Sequence, residues 1–118
     1  DETDGTPLET LAHPQSRRGM RAENVALLRK MLQQGVEEGT AQDAAWLEEG
    51  AGGKTGTAQT GQFTPDGTER KNLWFAGFYP AQRPRYTIVV LQDGQTGPSR
   101  TSAAIFAQVC DALDAAGE

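Results

Sequence analysis

The sequence predicts an α+β fold: an antiparallel sheet of about three strands, flanked by an N-terminal and a C-terminal helix. Three observations lead there. Val25, Leu28, Leu32 and Val36 recur at spacings of three or four, the period of a helix that buries one stripe. Three runs rich in β-branched and aromatic residues follow, with connections that favour antiparallel pairing, because a parallel crossover needs a dozen or more residues. Finally, Phe106, Val109, Cys110 and Leu113 fall at i, i+3, i+4 and i+7, one face of a closing helix.

The elements follow in order. Residues 1–20 hold Pro7, Pro14 and little periodicity and are expected to be an irregular lead-in, with 21–118 forming the folded portion. The first helix is expected over roughly Ala22 to Glu38, stopped by Gly39. Thr40 to Glu49 has room for a short helical turn. Lys54 to Thr60, with three threonines, reads as a strand despite Gly56. Pro65-Asp66-Gly67 is a turn, since Pro presets its φ and Gly accepts a positive one. Leu73 to Tyr79 is an aromatic-rich second strand ended by Pro80, its Trp74, Phe75, Phe78 and Tyr79 expected in the core. Tyr86 to Gln92 is apolar at nearly every position, and such a strand is expected to be covered on both faces. The stretch "DGQTGPS" should break it before a last helix that starts at Thr101 and closes near Gly117.

Bulk properties exclude several functions. At 118 residues the chain suits one core. A formal net charge of -5 gives no general affinity for nucleic acid or an anionic membrane. No apolar run approaches the roughly 20 residues of a bilayer span, and no leader opens the chain. With Asp1 rather than a methionine first, an excised piece or a processed form is expected, and any anchor is expected in the missing part. Cys110 is the only cysteine, so no internal disulfide forms, and it is expected to be a buried, inert thiol. Glu37-Glu38 and Glu48-Glu49 are adjacent pairs that do not face one another on a helix, so neither a metal nor a cofactor is expected. His13 is expected exposed, Arg83 and Arg85 to solubilise a hairpin tip, and Trp46 to be packed.

The chemistry concentrates in "AGGKTGTAQTG", Ala51 to Gly61, where one lysine stands among four glycines and three hydroxyls. A phosphate-binding loop would need GxxxxGK followed by Ser or Thr and then a helix. The position five before Gly53 is Glu48, and Gly56 follows where a helix would begin, so that motif fails. The alternative is a carboxylate clamp on a strand. Without a Cβ, Gly56 lets a peptide-like ligand lie against the backbone. Pleating projects Thr55 and Thr57 on one face and Lys54 on the other, so twist or the glycine must bring the ammonium round to the site.

"GGKTGTAQ", Gly52 to Gln59, resembles the third active-site motif of penicillin-binding proteins, in the KTGTA form of the high-molecular-weight transpeptidases. "NVALLRKMLQQGVEEGTA" before it and "WFAGFYPAQRPRYTIVV" after it resemble the helix, GTA turn and hairpin that flank the motif there. The resemblance implies an incomplete, C-terminal portion of the β-lactamase and DD-transpeptidase fold. It implies that Lys54 is the catalytic cation and that the Thr55 and Thr57 hydroxyls, with Gly56 between them, bind the carboxylate of a D-alanyl-D-alanine stem peptide or a β-lactam. The Thr57 N–H would be one of two oxyanion-hole donors. The serines, Ser16, Ser99 and Ser102, begin no SxxK motif, and no SxN motif is present. The resemblance therefore implies that the nucleophile and the strand beside Tyr86 to Gln92 come from an N-terminal part of the domain, the expected partner unless the open edge mediates self-association. The implied location is the outer face of a bacterial cell membrane. A non-catalytic β-lactam-sensing module and a serine carboxypeptidase or β-lactamase fragment are the alternatives.

Overall fold

The computed structural model describes residues 15–117. Helix α1 spans Ala22–Glu37, a short 3-10 turn spans Gln42–Ala44, strands β1, β2 and β3 span Gly52–Phe63, Glu69–Tyr79 and Tyr86–Gln95, and helix α2 spans Ser102–Ala115. The strands form one antiparallel sheet in the order β1-β2-β3, so the α+β expectation holds. Of the lead-in, residues 15–20 carry no regular structure; the rest, with His13, lies outside the described residues.

β1 and β2 pair with Thr55 opposite Phe75 and Thr57 opposite Leu73, and the register slips between Gln59 and Gln62, where Gly61 takes φ 70°. The Pro65-Asp66-Gly67 turn closes this hairpin: Thr64 N–H donates to the Thr68 carbonyl at 2.9 Å, and Gly67 sits at φ 87°. Asp66 accepts from the Thr64 hydroxyl and the Thr68 N–H, bonds that hold its carboxyl below the usual range.

Strand β3 departs from expectation twice. It does not break at Asp93 but runs on to Gln95, because the register shift between Lys71 and Leu73 absorbs Gly94 at φ 60°, whose N–H donates to Asn72 Oδ1 at 2.9 Å. Nor is it covered on both faces. Ile88 and Val90 pack toward α2, whereas Val89 is 57% and Leu91 45% exposed. An apolar run shows that a strand can be covered twice, while only the neighbouring elements decide whether it is.

The core lies on the α2 side of the sheet. Phe75 and Tyr79 from β2 meet Phe106, Ala107 and Cys110 from α2, joined by Val36, Ala44, Leu47 and Ala51. The Phe75 and Phe106 rings lie 4.6 Å apart and tilted by 53°. Cys110 is buried, and desolvation followed by the Asp114 carboxylate pushes its thiol up to about 12. Trp74, on the opposite face from Phe75, is half exposed, and Trp46 is exposed rather than packed. The α1 stripe is buried only at its C-terminal end: Val36 is inside, while Val25, Leu28, Leu27 and Met31 are exposed. Arg29 ties the helix to the β2–β3 connection, donating to the carbonyls of Ala81 at 3.0 Å and Gln82 at 2.9 Å. Arg83 and Arg85 are exposed there, with the Arg85 guanidinium 5.3 Å from the Tyr86 ring centre.

Candidate functional site

Strand order makes β1 an edge strand, so the segment carrying Lys54, Thr55, Gly56 and Thr57 has one side free of any strand partner among the described residues. The glycines before it are required by packing. A Cβ on Gly53 would lie 2.3 Å from Phe75 Cζ and 2.8 Å from the Ala76 carbonyl oxygen. A Cβ on Gly35 would approach the Gly53 carbonyl oxygen to 3.3 Å, so the end of α1 closes on the edge at Gly53.

The direction of the backbone follows. Gly52 turns its carbonyl to β2, close to Gly77, and Gly53 turns its carbonyl to α1. Alternation along an antiparallel strand then turns the N–H and C=O groups of Thr55 and Thr57 to the free edge, and those of Lys54 and Gly56 to β2. Lys54 confirms the direction at Thr55: its side chain folds along its own strand and Nζ donates to the Thr55 carbonyl at 2.9 Å. That contact answers how the ammonium comes round from the opposite face. Here the lysine reaches the edge by its own length, with no distortion at Gly56.

Thr55 and Thr57 share the face that also carries Leu73 and Phe75. Thr55 Oγ1 lies 3.2 Å from the hydroxyl of Thr40, in the turn that follows α1. Thr40 belonged to no predicted site; the GTA turn was its one sequence signal, and only the fold sets it beside Thr55. Gly56 is exposed, and a Cβ there would meet only Trp74 Cβ, at 3.7 Å, an ordinary contact. Thr57 is exposed as well. Together the segment offers a cation, two hydroxyls on one face and an outward N–H, a set that suits an anion with an extended backbone.

The serines make no hydrogen bond to the lysine among the described residues. Ser102 is buried at the start of α2, donating to the Leu73 carbonyl at 2.9 Å and accepting from Gln92 Nε2 at 3.0 Å. Ser16 and Ser99 are exposed, on the segment before α1 and the loop before α2.

Residues 4–111 match the penicillin binding protein transpeptidase domain. The chain belongs to that family. Among solved structures it is similar to penicillin binding protein 3 from Mycobacterium tuberculosis, crystallised in complex with ampicillin, at 27% identity and a TM-score of 0.61. The similarity covers 81% of this chain and 24% of that one, so the chain spans about a quarter of the protein it resembles. No curated protein matches.

Proposed function

We propose that this chain is the C-terminal portion of a peptidoglycan DD-transpeptidase domain, with residues 21–118 as the folded part and 1–20 as the segment leading into it. It binds the carboxylate of a D-alanyl-D-alanine stem peptide or of a β-lactam. The Thr55 and Thr57 hydroxyls donate hydrogen bonds to that carboxylate, Gly56 keeps the track clear, and Lys54 supplies the positive potential. The Thr57 N–H serves as one oxyanion-hole donor, a contact whose loss typically costs ~3 kcal/mol of transition-state stabilisation. The single observation that supports this reading most is the open edge beginning at Thr55, with the lysine drawn onto it by the bond to the Thr55 carbonyl.

Acylation needs a serine activated by a base. No serine here begins SxxK, so the nucleophile comes from an N-terminal part of the domain that also covers the exposed apolar residues of β3 and α1. The assembled protein works at the outer face of the bacterial cell membrane and is anchored outside the described residues, of which no helix is long and apolar enough to cross a membrane.

The test is covalent labelling by a fluorescent β-lactam, first of the 118-residue chain alone and then of the chain reassembled with an N-terminal part carrying SxxK. Labelling is expected only in the second case. Labelling of the chain alone overturns the placement of the nucleophile. Binding by the reassembled pair without acylation would instead identify a sensing module.

A further inference from the structure

One contact ties the clamp to a side chain from outside β1. Thr40 Oγ1, in the turn after α1, lies 3.2 Å from Thr55 Oγ1, and either hydroxyl can be the donor. The turn that presents Thr40 is pinned on both sides. Gly39, just before it, sits so close to α1 that an added Cβ would lie 2.8 Å from the Gly35 carbonyl oxygen. Ala41, just after it, is buried and donates its N–H to that same Gly35 carbonyl at 3.2 Å. Further along the turn, Asp43 accepts a hydrogen bond from the Thr101 hydroxyl at the start of α2, and Ala44 is buried in the core. The fold therefore delivers the Thr40 hydroxyl to Thr55 at a fixed place.

A threonine hydroxyl has a single proton to give. When Thr55 gives its proton to Thr40, none is left for a ligand; when Thr40 donates to Thr55, the Thr55 proton is free to point elsewhere. An anion at the clamp selects the second arrangement, because only there does it receive a hydrogen bond from Thr55. Resting on the carboxylate-clamp reading, we infer that Thr40 is a positioning residue: it donates to Thr55 Oγ1 and so turns the Thr55 proton onto the ligand's carboxylate. The donated bond strengthens the one that Thr55 makes, since hydrogen bonds in a chain polarise one another. It also selects the rotamer of Thr55, whose β-branched side chain has few stable χ1 settings. Thr40 does not touch the ligand, and its whole effect passes through Thr55.

The test is a double-mutant cycle on the isotope-labelled 118-residue chain, titrated with N-acetyl-D-alanine and followed by amide shifts in NMR spectra. One net hydrogen bond is worth about fivefold in affinity. Thr40→Val, which keeps the shape of an exposed side chain and removes its hydroxyl, should therefore weaken binding about fivefold, and Thr40→Ser should bind like the parent chain. Thr55→Ala should weaken binding by itself, and adding Thr40→Val to it should change nothing more. Spectra altered only around the substituted residues report an intact fold. If Thr55→Ala weakens binding and Thr40→Val does not, the positioning role alone is overturned. Equal weakening by Thr40→Val with and without the Thr55 hydroxyl also overturns it, because Thr40 then meets the ligand itself. If the ligand leaves the Thr55 and Thr57 amides unmoved, the clamp is wrong and the positioning role falls with it.

Discussion

Two glycines three residues apart in β1 should respond oppositely to the same substitution. At Gly53 an added Cβ meets Phe75 Cζ at 2.3 Å and the Ala76 carbonyl oxygen at 2.8 Å. Neither can give way cheaply, since Phe75 is fully buried against Phe106 and Ala76 belongs to the β1–β2 ladder. Overpacking of this kind costs about 1–3 kcal/mol. At Gly56 the added Cβ finds only Trp74 Cβ at 3.7 Å, and the backbone has no positive φ. There the loss of unfolded-state freedom should leave the protein unchanged or stabilise it by about 0.4–1 kcal/mol. The two alanine variants should therefore differ by at least about 1 kcal/mol, which for a domain near 100 residues separates their melting temperatures by about 4 °C or more. Thermal denaturation followed by circular dichroism measures the gap. Gly56→Ala should nonetheless lower β-lactam acylation of the reassembled domain by about 10- to 100-fold, the effect of displacing a ligand by a fraction of an ångström to one ångström. A Gly56→Ala variant destabilised by more than about 1 kcal/mol would refute the reasoning, because the glycine would then serve the fold rather than the ligand. A Gly53→Ala variant as stable as the parent chain would refute the packing at the start of β1.

Phe106→Ala should cost about 3–5 kcal/mol, since the ring is fully buried against Phe75, and chemical denaturation should show the midpoint falling with little change in slope. Cys110 should resist alkylation by iodoacetamide at pH 8 in the folded chain and react rapidly once denatured, because burial and the Asp114 carboxylate hold the thiol at about 12; fast native-state labelling would contradict its place in the core. Tyr79 donates its hydroxyl to Asp114, and burial, then that carboxylate, raise its pKa above the ordinary 10.0. A raised folded value favours the neutral phenol, so this contribution to stability is complete below pH 10, declines as the pH rises through the folded value, and should be absent from Tyr79→Phe. That variant should lose about 1–2 kcal/mol at neutral pH in denaturant titrations, the acceptor being a solvent-screened carboxylate.

Most residues of the candidate site were named before any coordinates. The Pro-Asp-Gly turn and the strands of the hairpin follow from local residue preference, KTGTA stood out by its resemblance to the family, and the paired strands put Lys54 and Thr55 on opposite faces as the pleat requires. Thr40 beside Thr55 was not readable, since a contact across 15 residues depends on how α1 meets β1.

The sequence by itself determined the order of helices and strands and the Pro-Asp-Gly turn, while the end of β3 lay beyond it. Those properties depend on neighbours within a few positions, through dihedral preference and hydrophobic period. Only the tertiary structure decided that β1 is an edge with its Thr57 backbone facing outward, that Lys54 reaches that edge through the Thr55 carbonyl, and that Val89, Leu91 and the first turns of α1 stay exposed. Burial is a property of what packs against a surface, and a periodic apolar pattern specifies the surface without specifying its partner.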